Sequence, residues 1–254
     1  MRSPHTNEMQ RAEEGDASLI FLTRDAFREI LAIEGHLEIV KKELGIRHDF
    51  CLATVFRKFC DNTHGRINAT ELLYGLEQLG LTCDIADARL IIDRYDADKD
   101  GRLGFWELSN AFLPIQAGLR DEIEMRKSGS GDFSSETKEL LMKTLRCIID
   151  TESMIESIRQ RIAREKTMHL RYAFDSLDWL GRGFLTQNEF KRAFENISER
   201  LGSPQLHQEI VVRIKDSIEM EGMIRRFNKD KLNGRISLPE FLDELNPKSS
   251  EKPY

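Results

Sequence analysis

No stretch of this 254-residue chain approaches the ~20 consecutive apolar residues that a bilayer crossing needs, so a membrane-inserted helix is not expected. Arg2 stands where N-myristoylation requires glycine, and the first residues form no apolar signal-peptide core; the expectation is a chain with neither lipid anchor nor export signal. The four cysteines, Cys51, Cys60, Cys83 and Cys147, make no C-x-x-C pair and no regular spacing, which predicts free thiols in a reducing interior rather than disulfides. A basic excess is missing as well. Lysine and arginine total 38 against 44 acids, a net charge of −6, so a broad nucleic-acid surface is disfavoured. Neither G-x-x-x-x-G-K-[ST] nor G-x-S-x-G occurs, and His36, His48, His64, His169 and His207 have no nucleophile or phosphate-binding glycine loop beside them. No catalytic constellation emerges, and the expectation is a protein that is not an enzyme.

What is present is organised as a repeat. At an offset of 118, Glu34 falls on Glu152, Glu38 on Glu156, Val40 on Ile158, Leu44 on Ile162, Phe56 on Phe174, Gly65 on Gly183, Ile67 on Leu185 and Glu71 on Glu189, without a gap. Each half opens on a long amphipathic helical pattern: Phe21, Phe27, Ile30, Leu31, Leu37, Val40 and Leu44 in the first, Leu141, Leu145, Ile148, Ile149, Ile155, Ile158 and Ile162 in the second. Shorter helical segments separated by glycine-centred loops follow, and no strand alternation of useful length appears. The fold class expected is all-α. The Gly/Ser cluster Lys127 to Asp132 lies near the midpoint. The expected division is therefore a polar tail at 1–15, a first domain at 16–120, a linker at 121–134, a second domain at 135–246 and a tail at 247–254.

Residues 96–107, DADKDGRLGFWE, satisfy the D-x-[DN]-x-[DN]-G-x5-E pattern at every required place. The chemistry needs this spacing. Asp96, Asp98 and Asp100 at positions one, three and five converge three carboxylates on one side of a turn, and Gly101 at position six permits the positive φ that the turn demands. Arg102 would offer its backbone carbonyl, Gly104 would act through a water, and Glu107 would close the shell with both carboxylate oxygens. Hard oxygen ligands in flexible geometry suit Ca2+ better than Mg2+. Leu103 at position eight is expected to form a short β-bridge with a partner loop.

On these residues the chain resembles the EF-hand superfamily, with four helix-loop-helix units in two pairs, each pair preceded by a long amphipathic helix. Gly65 and Gly101 are 36 positions apart, which suits paired loops of that kind. The other three loops are damaged copies. In 60–71 (CDNTHGRINATE), Cys60 and His64 replace oxygen ligands, although Asn62, Gly65, Ile67 and Glu71 survive; Cys60 and His64 alone make an incomplete zinc set. In 178–189 (DWLGRGFLTQNE), Leu180 and Arg182 stand at positions three and five, where an arginine repels a cation. The 228–240 loop (NKDKLNGRISLPE) holds one residue too many. Capping boxes at Thr186 to Glu189 and Ser237 to Glu240, with Asn68 before Glu71, can hold these turns without metal.

Two functional classes follow. A calmodulin-like sensor would open on loading and bind a target helix, but between Arg11 and Glu124 there is no methionine to line an adaptable groove; Met142, Met154, Met168, Met220 and Met223 all lie in the half with damaged loops. A structural component would keep the loops for their shape. Shorter strings, Leu22 to Glu29, Arg94-Tyr95-Asp96, Phe112-Leu113-Pro114 and Asp243 to Ser250, are similar to those of ciliary and flagellar EF-hand repeat proteins that line doublet microtubules. That resemblance implies a place in the cytoskeleton of the ciliary axoneme, held by tubulin or neighbouring axonemal proteins.

Overall fold

The computed structural model describes residues 4–60, 64–127, 132–164, 170–193, 217–228 and 234–249, with side chains from residue 25 onward except at 217 and 219. The fold is all-α. A long helix α1 (Pro4–Gly45) leads into α2 (Leu52–Phe59), α3 (Ala69–Gln78), α4 (Ile85–Tyr95), α5 (Phe105–Asn110) and α6 (Ala117–Met125). A second long helix, α7 (Ser135–Arg164), precedes α8 (Leu170–Leu177), helical residues 187–193, α9 (Ser217–Phe227) and α10 (Leu238–Leu245). Two-residue strands β1 (Phe184–Leu185) and β2 (Ile236–Ser237) pair antiparallel, with Leu185 opposite Ile236.

Contacts divide the chain into two compact units, and not at the Gly/Ser cluster. One unit is Ile33–Glu156 with the chain from Lys248 on; the other is Met1–Ala32 with Ser157–Pro247. Each long helix thus contributes to both. The first unit holds the pair of loops 60–71 and 96–107 around a core of Leu37 and Leu44 from α1, Phe50, Leu52, Val55, Phe59, Leu72, Leu76 and Phe112, and Leu141, Leu145, Ile148 and Ile149 from α7. In the second unit, Phe27 of α1 meets Phe190 edge-on at 5.1 Å and lies about 6 Å from Phe227 and Phe241, while Phe227 stacks on Phe241 at 5.8 Å. Such aromatic contacts add to area burial.

The expected tails and linker look different in three dimensions. α1 begins at Pro4, inside the segment expected as a tail, because Glu8 to Glu14 are strong helix formers and proline is compatible with a first helical position. Within the expected linker, α6 is helical, and Ile123 and Phe133 are buried in the first core. Lys248 and Ser249 each donate their backbone N–H to the Glu156 carboxylate, at 3.1 and 3.0 Å. Glu38, the repeat counterpart of Glu156, accepts the N–H of Ile115 at 2.8 Å. Both contacts fall just past a proline, Pro114 or Pro247, that follows the last helix of a pair. A buried carboxylate is costly unless hydrogen-bonded, and here it ties down the departing chain. The second unit adds a buried triad. Arg159 and Arg226 both pair with Glu244, the latter at 2.7 Å, and all three are at most 2% exposed.

Candidate metal centre

α4 delivers Asp96 as its C-cap residue, and α5 starts just before Glu107, so the loop between them is bounded by two helices. Its shape is written in short-range hydrogen bonds. Asp96 accepts the N–H of Gly101 at 2.7 Å and of Asp100 at 3.2 Å, which curls the chain over the first carboxylate. Lys99 and Gly101 take positive φ, 59° and 80°. Glu107 accepts from Gly104 N at 2.7 Å and reaches back to Ala97 N at 2.9 Å. A Cβ on Gly104 would stand 3.3 Å from that carboxylate, so the glycine leaves the room that Glu107 needs.

The turn brings ligand atoms of Asp96, Asp98 and Glu107 within 4.8 Å of one another. Asp96 is buried, and burial pushes its carboxyl up despite the amides that it accepts. Asp98 is exposed, and a hydrogen bond from Arg66 holds its carboxyl below the usual range. Asp100 is not in the group of three; Arg102 N binds one of its oxygens at 2.9 Å and Arg66 the other. Arg102 therefore contributes its amide to the turn, and Gly104 its amide to Glu107. The donor set, all hard oxygens, fits calcium: Asp96, Asp98, Asp100 and Glu107 would hold it, with the Arg102 carbonyl and a water at Gly104 completing the shell. The ion would supply a double positive charge to neutralise the converging carboxylates.

Ile67 and Leu103 form the expected bridge, exchanging N–H···O bonds of 2.9 and 2.8 Å, and both are fully buried. Residue 67 thereby sets the facing loop, and Arg66 beside it reaches into the acidic turn, with Nη1 3.0 Å from Asp98 and in contact with Asp100. Sequence reasoning missed Arg66. Its signal was its place in the chain, immediately before Ile67, the residue that bridges to the acidic loop.

The 178–189 loop repeats the turn without the two middle acids. Asp178 accepts from Gly183 N at 2.6 Å and Arg182 N at 3.0 Å, and Glu189 from Thr186 N at 2.7 Å. Arg182 pairs with Glu189. Burial pushes the Glu189 carboxyl up, but the Thr186 hydrogen bonds and the arginine charge outweigh it and hold the carboxyl below its ordinary range. Of the 60–71 loop, residues 61–63 lie outside the described residues, as do 229–233 of the fourth loop and Met168. Cys60 and His64 join no metal-ligand group among the described residues. Asn68 and Glu71 form the expected capping box, and the hydroxyl and N–H of Ser237 both donate to Glu240. Met220 and Met223 are core residues, whereas Met142 and Met154 are exposed at 36% and 53%.

Residues 167–245 match the family described as an EF-hand domain pair. Calcium-dependent protein kinase 14 of Arabidopsis thaliana is 30% identical over 84 residues, which are 33% of this chain and only 15% of the kinase. Calcium-binding protein E63-1 of Drosophila melanogaster is 27% identical over 168 residues, 62% of this chain and 79% of that protein. Among the described residues no helix is long and apolar enough to cross a membrane. Together with the helix-loop-helix pairs, these matches support, at the level of the superfamily, a calcium-binding EF-hand protein.

Proposed function

We propose that the protein binds calcium at the 96–107 loop and acts mainly as a non-catalytic structural and interaction component, with the ion stiffening the first pair. One observation carries this reading: among the described residues, the chain's own long helices pack into the apolar core of each pair. Leu141, Leu145, Ile148 and Ile149 of α7 are buried against the first pair, and Phe27 of α1 lies among the phenylalanines of the second. A sensor that takes a target helix would have to expel these side chains, at about 2–5 kcal/mol for each large one. The reading extends to a place in the ciliary axoneme, held by tubulin or neighbouring filament proteins, on the strength of the strings at Leu22 to Glu29 and Asp243 to Ser250.

Calorimetry with a calcium-dependent hydrophobic dye assay tests the role. One site and no dye response are expected; dye binding induced by calcium establishes the sensor instead. Glu107→Gln should remove the site, and with it about 2.7 kcal/mol of stabilisation at free calcium one hundredfold above Kd. For location, the protein should stay with salt-washed axonemes, and a pool emptied by mild detergent alone refutes that assignment.

A further inference from the structure

Arg66 belongs to one loop of the first pair and touches the acids of the other. The Ile67–Leu103 bridge fixes where it starts, and its Nη1 lies 3.0 Å from Asp98 Oδ2 and against Asp100 Oδ2. The remaining oxygens of the same two aspartates serve the turn: Asp98 Oδ1 accepts from Asp100 N at 3.2 Å, and Asp100 Oδ1 from Arg102 N at 2.9 Å. Arg66 therefore occupies the oxygens that the loop's own amides leave over.

We propose that Arg66 is a tethered counter-cation that competes with calcium for Asp98 and Asp100, so that the affinity of the 96–107 loop is set from the 60–71 loop. The inference rests on the calcium reading of that loop and extends it to its regulation. Converging carboxylates repel one another, and a guanidinium held nearby by the chain relieves that repulsion at high effective concentration. An incoming ion must displace it from both acids. The competition is graded, because the pair is partly exposed, with the Arg66 side chain at 40%.

Arg66→Gln removes the charge and keeps a polar side chain. Calorimetric calcium affinity should rise roughly three- to tenfold at low ionic strength, while the calcium-free protein melts at a lower temperature. The opposite signs are diagnostic, since simple damage to the pair weakens both. Arg89→Gln, at an exposed position on α4, makes the same change in net charge away from the loop and is the reference. Arg66→Lys should fall between wild type and Arg66→Gln. An Arg66→Gln affinity equal to or weaker than that of Arg89→Gln, with calcium heat still abolished by Glu107→Gln, overturns the competition alone. Calcium heat that survives Glu107→Gln unchanged overturns the site reading, and the competition with it.

Discussion

In the 96–107 loop, Asp96 gathers the amides of Asp100 and Gly101; in the 178–189 loop, Asp178 gathers those of Arg182 and Gly183 at matching positions, within about 0.2 Å. The closing glutamate behaves alike in all four loops, where Glu71, Glu107, Glu189 and Glu240 each accept the N–H three residues earlier, at 2.7–2.9 Å. In both the 96–107 and 178–189 loops, therefore, the first and last acids hold the turn through backbone amides. What differs is the middle: Asp98 and Asp100 in one loop, Leu180 and Arg182 in the other. Without acids at positions three and five the 178–189 loop joins no metal-ligand group among the described residues, and its turn still stands. The cation is also supplied differently. Arg182 meets Glu189 from inside its own loop, whereas Arg66 reaches Asp98 and Asp100 from across the pair.

The comparison can be broken or sharpened by experiment, since Trp106 in the first pair and Trp179 in the second, 62% and 55% exposed, report separately. The largest effect expected is at Phe27. Phe27→Ala should destabilise the second unit by about 3–5 kcal/mol, seen as early denaturation of the Trp179 signal. A shift of equal size in the Trp106 signal would mean that the two units do not differ in their dependence on this residue.

Lys41 gives the next effect, in the first unit. Burial lowers its pKa to about 8 against the attraction of Glu34 and Glu38, with Arg94 and Arg120 lowering it further. The folded-state pKa lies below the unfolded value of 10.5, so the cost of a buried ammonium is fully present below pH 8 and is relieved as pH rises towards 10.5. Stability should rise across that window by about 3 kcal/mol relative to Lys41→Met, as read by urea denaturation at stepped pH. An unchanged difference between the two proteins would refute a charged, buried Lys41.

Rebuilding the middle of the damaged loop is the direct test of the loop comparison. Leu180→Asp with Arg182→Asp should create a second calcium site in calorimetry and add about 2.7 kcal/mol to the second unit at one hundredfold excess over Kd. No added site would show that the retained turn is not competent for calcium. The smallest effect is at Asn68, whose side chain accepts from Thr70 N and Glu71 N at 2.9 and 3.0 Å. Asn68→Ala should cost about 1 kcal/mol, measured in the Trp106 transition, with calcium stoichiometry unchanged.

Much of the candidate site was legible because its logic is local. Asp96 to Glu107 bond within ten residues of one another, Gly101 takes the positive φ that its position demands, and the capping boxes close over three residues. The repeat at offset 118 also carried structural meaning. Glu38 and Glu156 matched in sequence, and both clamp the chain just after a proline, at Ile115 and at Lys248 with Ser249. The division at the Gly/Ser cluster did not coincide with the contacts, because composition marks where a chain is locally irregular and says nothing of which distant helix fills which core.

By itself the sequence determined the all-α class, the bounded acidic turn and the caps that start the short helices, since each depends on residues within one or two turns of each other. Only the tertiary structure decided that Phe27 serves the second unit while Leu37 and Leu44 on the same helix serve the first, and that Arg66 lies against Asp98. Those arrangements join residues 32 to more than 200 positions apart, and apolar burial and charge attraction act through space with no preference for partners near in the chain.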